Sequence, residues 1–277
     1  MTHHIEIICV GNELLIGKIA NTNAQWLAKR ITIMGLNVNR ITVVSDDTTE
    51  ISKAVREAIK RKPKIIITTG GLGPTFDDKT LEGVAKALNQ PLKVNSEAIK
   101  MIEQKYRQYL KEGRIEEKIE LTPPRIKMAN LPEKAQPLHN PIGTAPGVIM
   151  NHNETTIIAL PGVPSEMEAI FDESIQPILK KMAGRAIFYE TSIGVDGVME
   201  SDLAPLIDKT MHDSPYIYIK SHPSHRGEGK PHLELHLSTT AQNSETAKKR
   251  VTKALLQITE LAQAKGGKIQ LKKQKSQ

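Results

Sequence analysis

The sequence predicts an α/β fold, an open and mostly parallel sheet followed by a second, smaller α+β unit. Three observations lead there. Strand and helix patterns alternate from residue 5 to about residue 88 with short links, which implies parallel pairing and right-handed crossovers. The opening run IEIICVG is a short apolar segment of the kind that a strand buried on both faces shows. Beyond Gly184 the order changes to strand, helix, strand, strand, helix.

The elements follow in order. After the first strand and a Gly-rich link, NTNAQWLAKRITIMG opens on Asn and Thr capping candidates and sets Ala24, Leu27, Ile31 and Met34 on one helical face, with Gly35 as the stop. LNVNRITVVSDD reads as the second strand. TTEISKAVREAIKRK reads as a helix with Ile51, Ala54, Val55, Ala58 and Ile59 inward, and Pro63 follows it. KIIITTGG is the third strand. Residues 91–120 are charged and helical, the mark of a solvent-facing insertion. Pro and Gly then break the chain repeatedly up to residue 150. TTIIALPGVPSEMEAIF returns to strand, tight turn and helix, with Ser165 and Glu168 spaced as a capping box. The expected organisation is a main domain over 1–180, a small domain over 185–265 and a disordered basic tail over 266–277.

Composition narrows the function classes. Aromatic residues make up 3% of the chain, which leaves little material for a base-stacking surface. No apolar run approaches the roughly 20 residues that span a bilayer, and MTHHIEIICVG lacks the layout of a signal peptide. A cytoplasmic protein without a membrane partner is expected. The single cysteine, Cys9, lies inside the first strand and reads as a small buried hydrophobe. The formal charge of +7 is concentrated near the end, in KKRVTKALL and KGGKIQLKKQKSQ. Such a tail can hold nucleic acid, but a solvated terminus is the simpler reading, and nucleic acid is not expected as a partner.

The chemistry centres on IIITTGGLGPTFDDKTLEGVAKAL, residues 65–88. Gly70, Gly71 and Gly73 let backbone N–H groups face outward where no Cβ stands in the way, and the following helix N-terminus favours a phosphate. The plain alternative is a strand-to-helix turn with Thr75 as N-cap and Asp78 closing a capping box. The segment lacks the Gly-Lys-Ser/Thr of a P-loop and is not a full G-x-G-x-x-G fingerprint. Asp77 and Asp78 tilt the reading toward catalysis: two acids beside a phosphate are tolerable when a divalent cation lies between them. Further polar turns fall at the same carboxyl edge of the sheet, where open α/β folds bind ligands. Asn12 and Glu13 follow the first strand, and Asp46 and Asp47 end the second. Asn140 and Gly143 lie in HNPIGTAPG, and Pro161, Gly162 and Glu166 in LPGVPSEM.

These motifs carry a resemblance. GNELL with its following Gly and Asn residues, TGGLGPTFDD, the Asn140–Gly147 run and LPGVPSEM are similar to the competence/damage-inducible protein CinA over roughly residues 4–175, and more broadly to the molybdopterin-binding MoaB/Mog-like domain. The resemblance implies a Rossmann-like three-layer α/β/α domain and, after Gly184, a small KH-like domain. The deamidase domain of full-length bacterial CinA has no counterpart here, so NMN deamidation is not expected. It further implies a pyrophosphatase acting on ADP-ribose or a related nucleotide diphosphate with a divalent metal (Mg, Mn or Co). Broader relatives bind molybdopterin and adenylylate it.

Carried over by motif, Gly70, Gly71, Leu72, Gly73 and Thr75 form the phosphate loop. Asp78 and Asp46 are the metal-holding and catalytic acids, Asp77 is the next catalytic candidate, and Glu13 follows as a ligand-binding residue. Leu72 stands where Mog-type loops usually carry Thr, which favours the CinA branch. The leading expectation is therefore a metal-dependent phosphoanhydride hydrolase. The alternatives are a molybdopterin-binding or adenylyltransferase-like protein of cofactor biosynthesis and a non-catalytic nucleotide-binding module. Relatives of this kind are oligomeric, so a homodimer or homotrimer is expected.

In the second unit GVDG, residues 194–197, is superficially similar to the RNA clamp of KH domains, but Asp196 would face phosphates, so a lid or oligomerisation role is expected. His232 and His236 alternate with leucines, and with His222 and His225 they read as a solvated strand face and hairpin rather than a metal site.

Overall fold

The computed structural model describes residues 4–115, 120–223 and 231–271. The chain divides into two compact units, Met1–Thr32 with Leu36–Met182, and Ile33–Gly35 with Ala183–Gln277. The first half of unit one contains β1 (His4–Val10), α1 (Asn12–Leu15), α2 (Thr22–Ile33), β2 (Asn37–Val44), α3 (Thr48–Lys60), β3 (Ile65–Thr69) and α4 (Thr80–Leu88). Next come β4 (Leu92–Val94), α5 (Ser96–Lys111), α6 (Pro123–Lys127), β5 (Asn130–Pro132) and β6 (Gln136–Leu138). β7 (Gly147–His152), β8 (Thr155–Leu160) and α7 (Pro164–Ile170) lead through a π-helical turn at Phe171–Ile175 into α8 (Gln176–Ala183).

Three helices of unit one, α2, α3 and α5, start where short polar side chains serve free backbone donors. Asn21 Oδ1 accepts from Ala24 N at 3.1 Å, Asp47 Oδ1 from Thr49 N and Glu50 N at 2.8 and 3.0 Å, and Asn95 Oδ1 from Glu97 N and Ala98 N at 3.0 and 2.9 Å. Ser165 departs from expectation. The helix begins at Pro164, whose fixed φ and missing N–H suit the first helical position, so Ser165 lies inside the first turn and caps nothing.

The sheet has six strands in the order β2-β1-β3-β8-β7-β6. The first four are mutually parallel; β7 pairs antiparallel to β8, and β6 antiparallel to β7. Ile8 and Val10 of β1 pack with Ile51 and Val55 of α3, Val84 of α4 and Ile102 of α5 in one core. The alternate residues Ile7 and Cys9 are equally buried on the opposite face, so both faces are covered, as a parallel sheet requires. Connections leave β1 toward β2 on one side and reach β3 on the other. The chain's direction of winding therefore reverses between β1 and β3, and a crevice opens at their carboxyl ends. The insertion expected to face solvent differs: α5 buries Ala98, Ile102 and Lys105, because its apolar residues recur at helical spacing and close the core beside α4.

Unit two contains β9 (Ile187–Asp196), α9 (Glu200–Asp213), β10 (Tyr218–Pro223), β11 (His232–Ala241), α10 (Ser244–Ala264) and β12 (Lys268–Leu271). Its strands form an antiparallel sheet, β10-β11-β9-β12. Leu203 and Ile207 of α9 and Val251, Ala254 and Ile258 of α10 join the apolar strand residues in its core. The tail expected from residue 266 is corrected in part. Lys268–Leu271 pairs with Ile193–Asp196, since alternation lets Ile269 pack inward while its lysine neighbour does not; residues 272–277 lie outside the described residues.

His232 also departs from the solvated face expected of it. It is 5% exposed, its Nδ1 pairs with Asp196 Oδ1, and Gln270 Nε2 donates to Asp196 Oδ2 at 2.6 Å. Asp196 is thus engaged by its own sheet instead of facing phosphates. His236 meets Glu190 and Glu234 at 3.5 and 3.2 Å, and His225 lies outside the described residues. Among the described residues no helix is long and apolar enough to cross a membrane.

Candidate functional site

β3 delivers the glycine loop to the crevice. Gly70 and Gly71 have φ of +102° and +65°, and a Cβ on Gly70 would stand 2.2 Å from the Val10 carbonyl oxygen. Only glycine tolerates both the angle and the approach. The loop's outward-turned carbonyls are claimed by Thr80, whose hydroxyl donates to Gly70 O at 2.7 Å and whose N–H donates to Gly71 O at 3.1 Å. Gly70 N donates to Leu160 O at 3.0 Å. Among the described residues, the N–H groups of Gly71, Leu72 and Gly73 have no protein acceptor. Successive free amides on a loop ahead of a helix form an anion-binding concavity.

Thr75 and Asp78 do not cap α4, which begins later, at Thr80. They close a turn of their own. Asp78 N donates to Thr75 O at 3.2 Å, and Asp78 Oδ2 accepts from Thr75 N and Oγ1 at 2.8 and 2.6 Å. The Thr75 hydroxyl also reaches Asp77 Oδ1; with one hydrogen it serves one carboxylate at a time. That bond, the Asp77 backbone amide and the charges of Lys127 and Lys79 hold the Asp77 carboxyl below the ordinary carboxylate range. Lys127 Nζ donates to the carbonyls of Thr75 and, at 2.7 Å, Asp78.

On the neighbouring strands, Asp46 Oδ2 accepts from Asn12 N at 2.7 Å. Asn12 opens the one-turn helix α1, where only a glycine-rich link was expected. Asn140 Nδ2 donates to Glu166 Oε2 and to Ala145 O, both at 2.7 Å, while its Oδ1 accepts from Ile142 N and Gly143 N at 3.0 and 2.8 Å. A Cβ on Gly143 would fall 2.0 Å from Glu166 Oε2, so that glycine makes room for the carboxylate.

These parts surround one cavity of about 370 Å³, within the range of small-molecule sites. Gly70, Gly71, Leu72, Gly73 and Thr75 form one wall, and Glu13, Asp46, Asp77 and Asp78 bring its negative charge. Pro161, Gly162 and Glu166 form the wall beyond β8. Three expected residues do not line it. Asn12 acts through its main chain on Asp46, and Asn140 and Gly143 line an adjacent cavity of about 200 Å³, from which they position Glu166. The sequence reading missed Lys127, Thr80 and Asn23; Asn23 Nδ2 joins Thr69 Oγ1 and Gly162 O at 3.1 and 2.8 Å. Asn23 is one of the Asn residues that follow GNELL, whereas no spacing rule marks the other two.

A divalent cation is implied by the resemblance. Among the described residues no group of three or more His, Cys, Asp or Glu is arranged to hold a metal. Asp46 and Asp78 each keep Oδ1 free of hydrogen bonds within the described residues. That donor set suits a hard cation shared between one or two carboxylates and ligand phosphate oxygens, not a cage of protein ligands.

A parallel-dominated sheet with a glycine loop and acids at the β1/β3 crevice defines the architecture of this α/β domain. The family model described as "Probable molybdopterin binding domain" matches residues 6–181, and the chain belongs to that family. It is similar to the crystal structure of the protein CinA, of unknown function, from Thermoplasma acidophilum. The two are 41% identical with a TM-score of 0.58, over 64% of this chain and 98% of that one. A protein of Pyrobaculum arsenaticum is 44% identical over 94% of this chain and 95% of its own. One of Aeropyrum pernix is 43% identical over 95% of each.

Proposed function

We propose that the crevice binds a phosphorylated pterin of the molybdopterin type and activates it by adenylyl transfer from ATP. The observation that carries this reading is the coincidence of free loop amides at Gly71–Gly73 with Asp46, Asp77 and Asp78 around one cavity, in a chain whose family is described by molybdopterin binding. The loop amides hold a phosphate and turn its reacting oxygen toward the ATP α-phosphorus. A new P–O bond forms there, and pyrophosphate leaves with the pair from the broken anhydride bond. A divalent cation, when bound, supplies charge neutralisation between phosphate and carboxylate oxygens. Asp46 and Asp78 would hold it, and Thr75 keeps Asp78 in place. Glu166, fixed by Asn140, stands across the cavity as a hydrogen-bond acceptor for the pterin.

The test is incubation of purified protein with ATP, Mg²⁺ and molybdopterin. Pterin-dependent pyrophosphate release supports the reading; release independent of the pterin, or none, rejects it.

A second reading is hydrolysis of ADP-ribose or a related nucleotide diphosphate, in which water attacks phosphorus and AMP leaves. The buried Leu72 in place of a Mog-type threonine favours it. AMP release from ADP-ribose with Mg²⁺, Mn²⁺ or Co²⁺ discriminates. Under either reading the protein acts in the cytoplasm as a homodimer or homotrimer. Leu15, Ile16 and Ile19 are exposed apolar residues that support self-association, and light scattering measures it. The KH-like reading of unit two rests on the resemblance of the segment after Gly184 to CinA proteins, and salt-sensitive RNA binding would test a nucleic-acid role for it.

A further inference from the structure

Lys105 lies on the inner face of α5 with 8% of its surface exposed. Its ammonium donates to the Pro141 carbonyl at 2.6 Å and stands 5.5 Å from the Tyr109 ring centroid. The Tyr109 hydroxyl is itself engaged, donating to Ile142 O at 2.8 Å. Among the described residues no carboxylate forms an ion pair with Lys105. Burial pushes its ammonium down; the charges of Glu112 and Glu166 oppose this shift and the charge of Arg114 adds to it. Buried charges are normally paired, because an ammonium loses its hydration on burial and one neutral acceptor does not replace it. A lysine also carries three donor hydrogens, and one carbonyl uses one of them.

The same residue lines the cavity of about 200 Å³ that abuts the main one. Gln104, Gln108 and His139 line it too, Gln108 with its Nε2 donating to Glu112 Oε1 at 2.6 Å and His139 with its Nδ1 3.1 Å from Glu173 Oε1, and Asn140 and Gly143 form the side from which Glu166 is positioned. Thr144 lines both cavities. Among the described residues the smaller cavity is thus lined by one ammonium, one imidazole and neutral amides and by no carboxylate, the reverse of the acidic crevice beside it. The bland alternative is a lysine satisfied by one carbonyl and an aromatic face.

We propose that this cavity is an anion subsite that takes a second phosphate group, with Lys105 as its counter-ion. The inference rests on the reading of the crevice as a phosphate-ligand site and adds where the second phosphate goes. That phosphate comes either from the far end of the same ligand or from a second phosphorylated substrate. Both sources offer the same chemistry, a compact tetrahedral anion.

Titration of inorganic phosphate and of ATP by calorimetry into wild type, Lys105→Met and Gly73→Ala tests the inference. Lys105→Met is expected to weaken inorganic phosphate binding about tenfold or more, the loss of one charge-assisted contact, while its melting temperature holds or rises. Gly73→Ala is expected to leave that phosphate event intact and to weaken ATP. If Lys105→Met also weakens ATP, the second phosphate belongs to the nucleotide; if ATP is unchanged, it belongs to the other substrate. Phosphate binding equal to wild type in Lys105→Met overturns the inference, and if Gly73→Ala alone loses ligand, the reading of the crevice stands without it. Should Lys105→Met fail to fold, a phosphate soak of wild-type crystals decides: density at Lys105 Nζ supports the subsite, and density only at the glycine loop overturns it.

Discussion

Lys127 Nζ donates to the Asp78 carbonyl at 2.7 Å, and the two residues are 49 apart in sequence. The same ammonium takes the Thr75 carbonyl. One cation from α6 therefore holds both ends of the turn that carries Asp77 and Asp78.

Replacing that cation should loosen the turn without unfolding the sheet. Lys127→Met is expected to cost about 2 kcal/mol, the worth of a hydrogen bond from a charged donor, read by urea denaturation. ATP affinity in calorimetry should fall more steeply than stability does, because the loop amides lose their fixed spacing. Unchanged affinity would show that α6 has no part in the site.

Asp78 has a turn-locking oxygen and a free one, so two substitutions separate its roles. Asp78→Asn keeps an acceptor for Thr75 N and should stay within about 0.5 kcal/mol of wild type, whereas Asp78→Ala should lose about 1 kcal/mol. Both should slow pyrophosphate or AMP release about tenfold or more, as loss of groups around a bound metal does. Wild-type turnover by Asp78→Asn would confine that residue to structure.

Two glycines predict opposite scales of damage. At Gly70 an added Cβ meets the Val10 main-chain oxygen at 2.2 Å with φ at +102°, and neither can move without disturbing β1. Gly70→Ala should cost about 3 kcal/mol or more. At Gly143 the obstacle is the mobile end of Glu166 at 2.0 Å. Gly143→Ala should displace that carboxylate, cost about 1 kcal/mol for its bond to Asn140, and change ligand affinity more than melting temperature. Thermal unfolding of both variants, side by side, checks the contrast.

The Asp47 carboxyl is held below the usual carboxylate range by the Glu50 N–H, then the Thr49 N–H. A group with a depressed folded pKa stabilises above its unfolded value, about 3.9 for aspartate, and loses that contribution as pH falls through the folded value. The start of α3 should therefore weaken below about pH 4. Asp47→Asn, which still caps but does not titrate, should flatten that part of the acid limb in a pH series of melting temperatures.

Much of the α/β unit was legible along the chain. Apolar residues at alternating or helical spacing report burial locally, so β1, α2, β2, α3 and β3 could be read one by one, and the Gly70–Gly73 loop and its acids with them. Cys9 sits where its run of β-branched neighbours put it, fully buried and free. The helix α5 misled because its charge outweighs its apolar stripe, although Ala98 and Ile102 close the core. Lys268–Leu271 misled because a basic composition says little about an edge strand, whose partner β9 lies far back in sequence.

What spacing could not reveal is convergence. Asn140 and Gly143 carry the turn chemistry their residue types announced, yet which cavity they border depends on where Glu166 arrives from α7. Lys127 and Lys105 carry no motif at all; one clamps a loop and the other, without a carboxylate partner among the described residues, borders a cavity only because crossovers bring α6 and α5 there. Backbone conformation and periodicity are properties of a few neighbouring residues and can be read from them. The meeting of charges from distant segments is settled by the winding of the chain around β1 and β3.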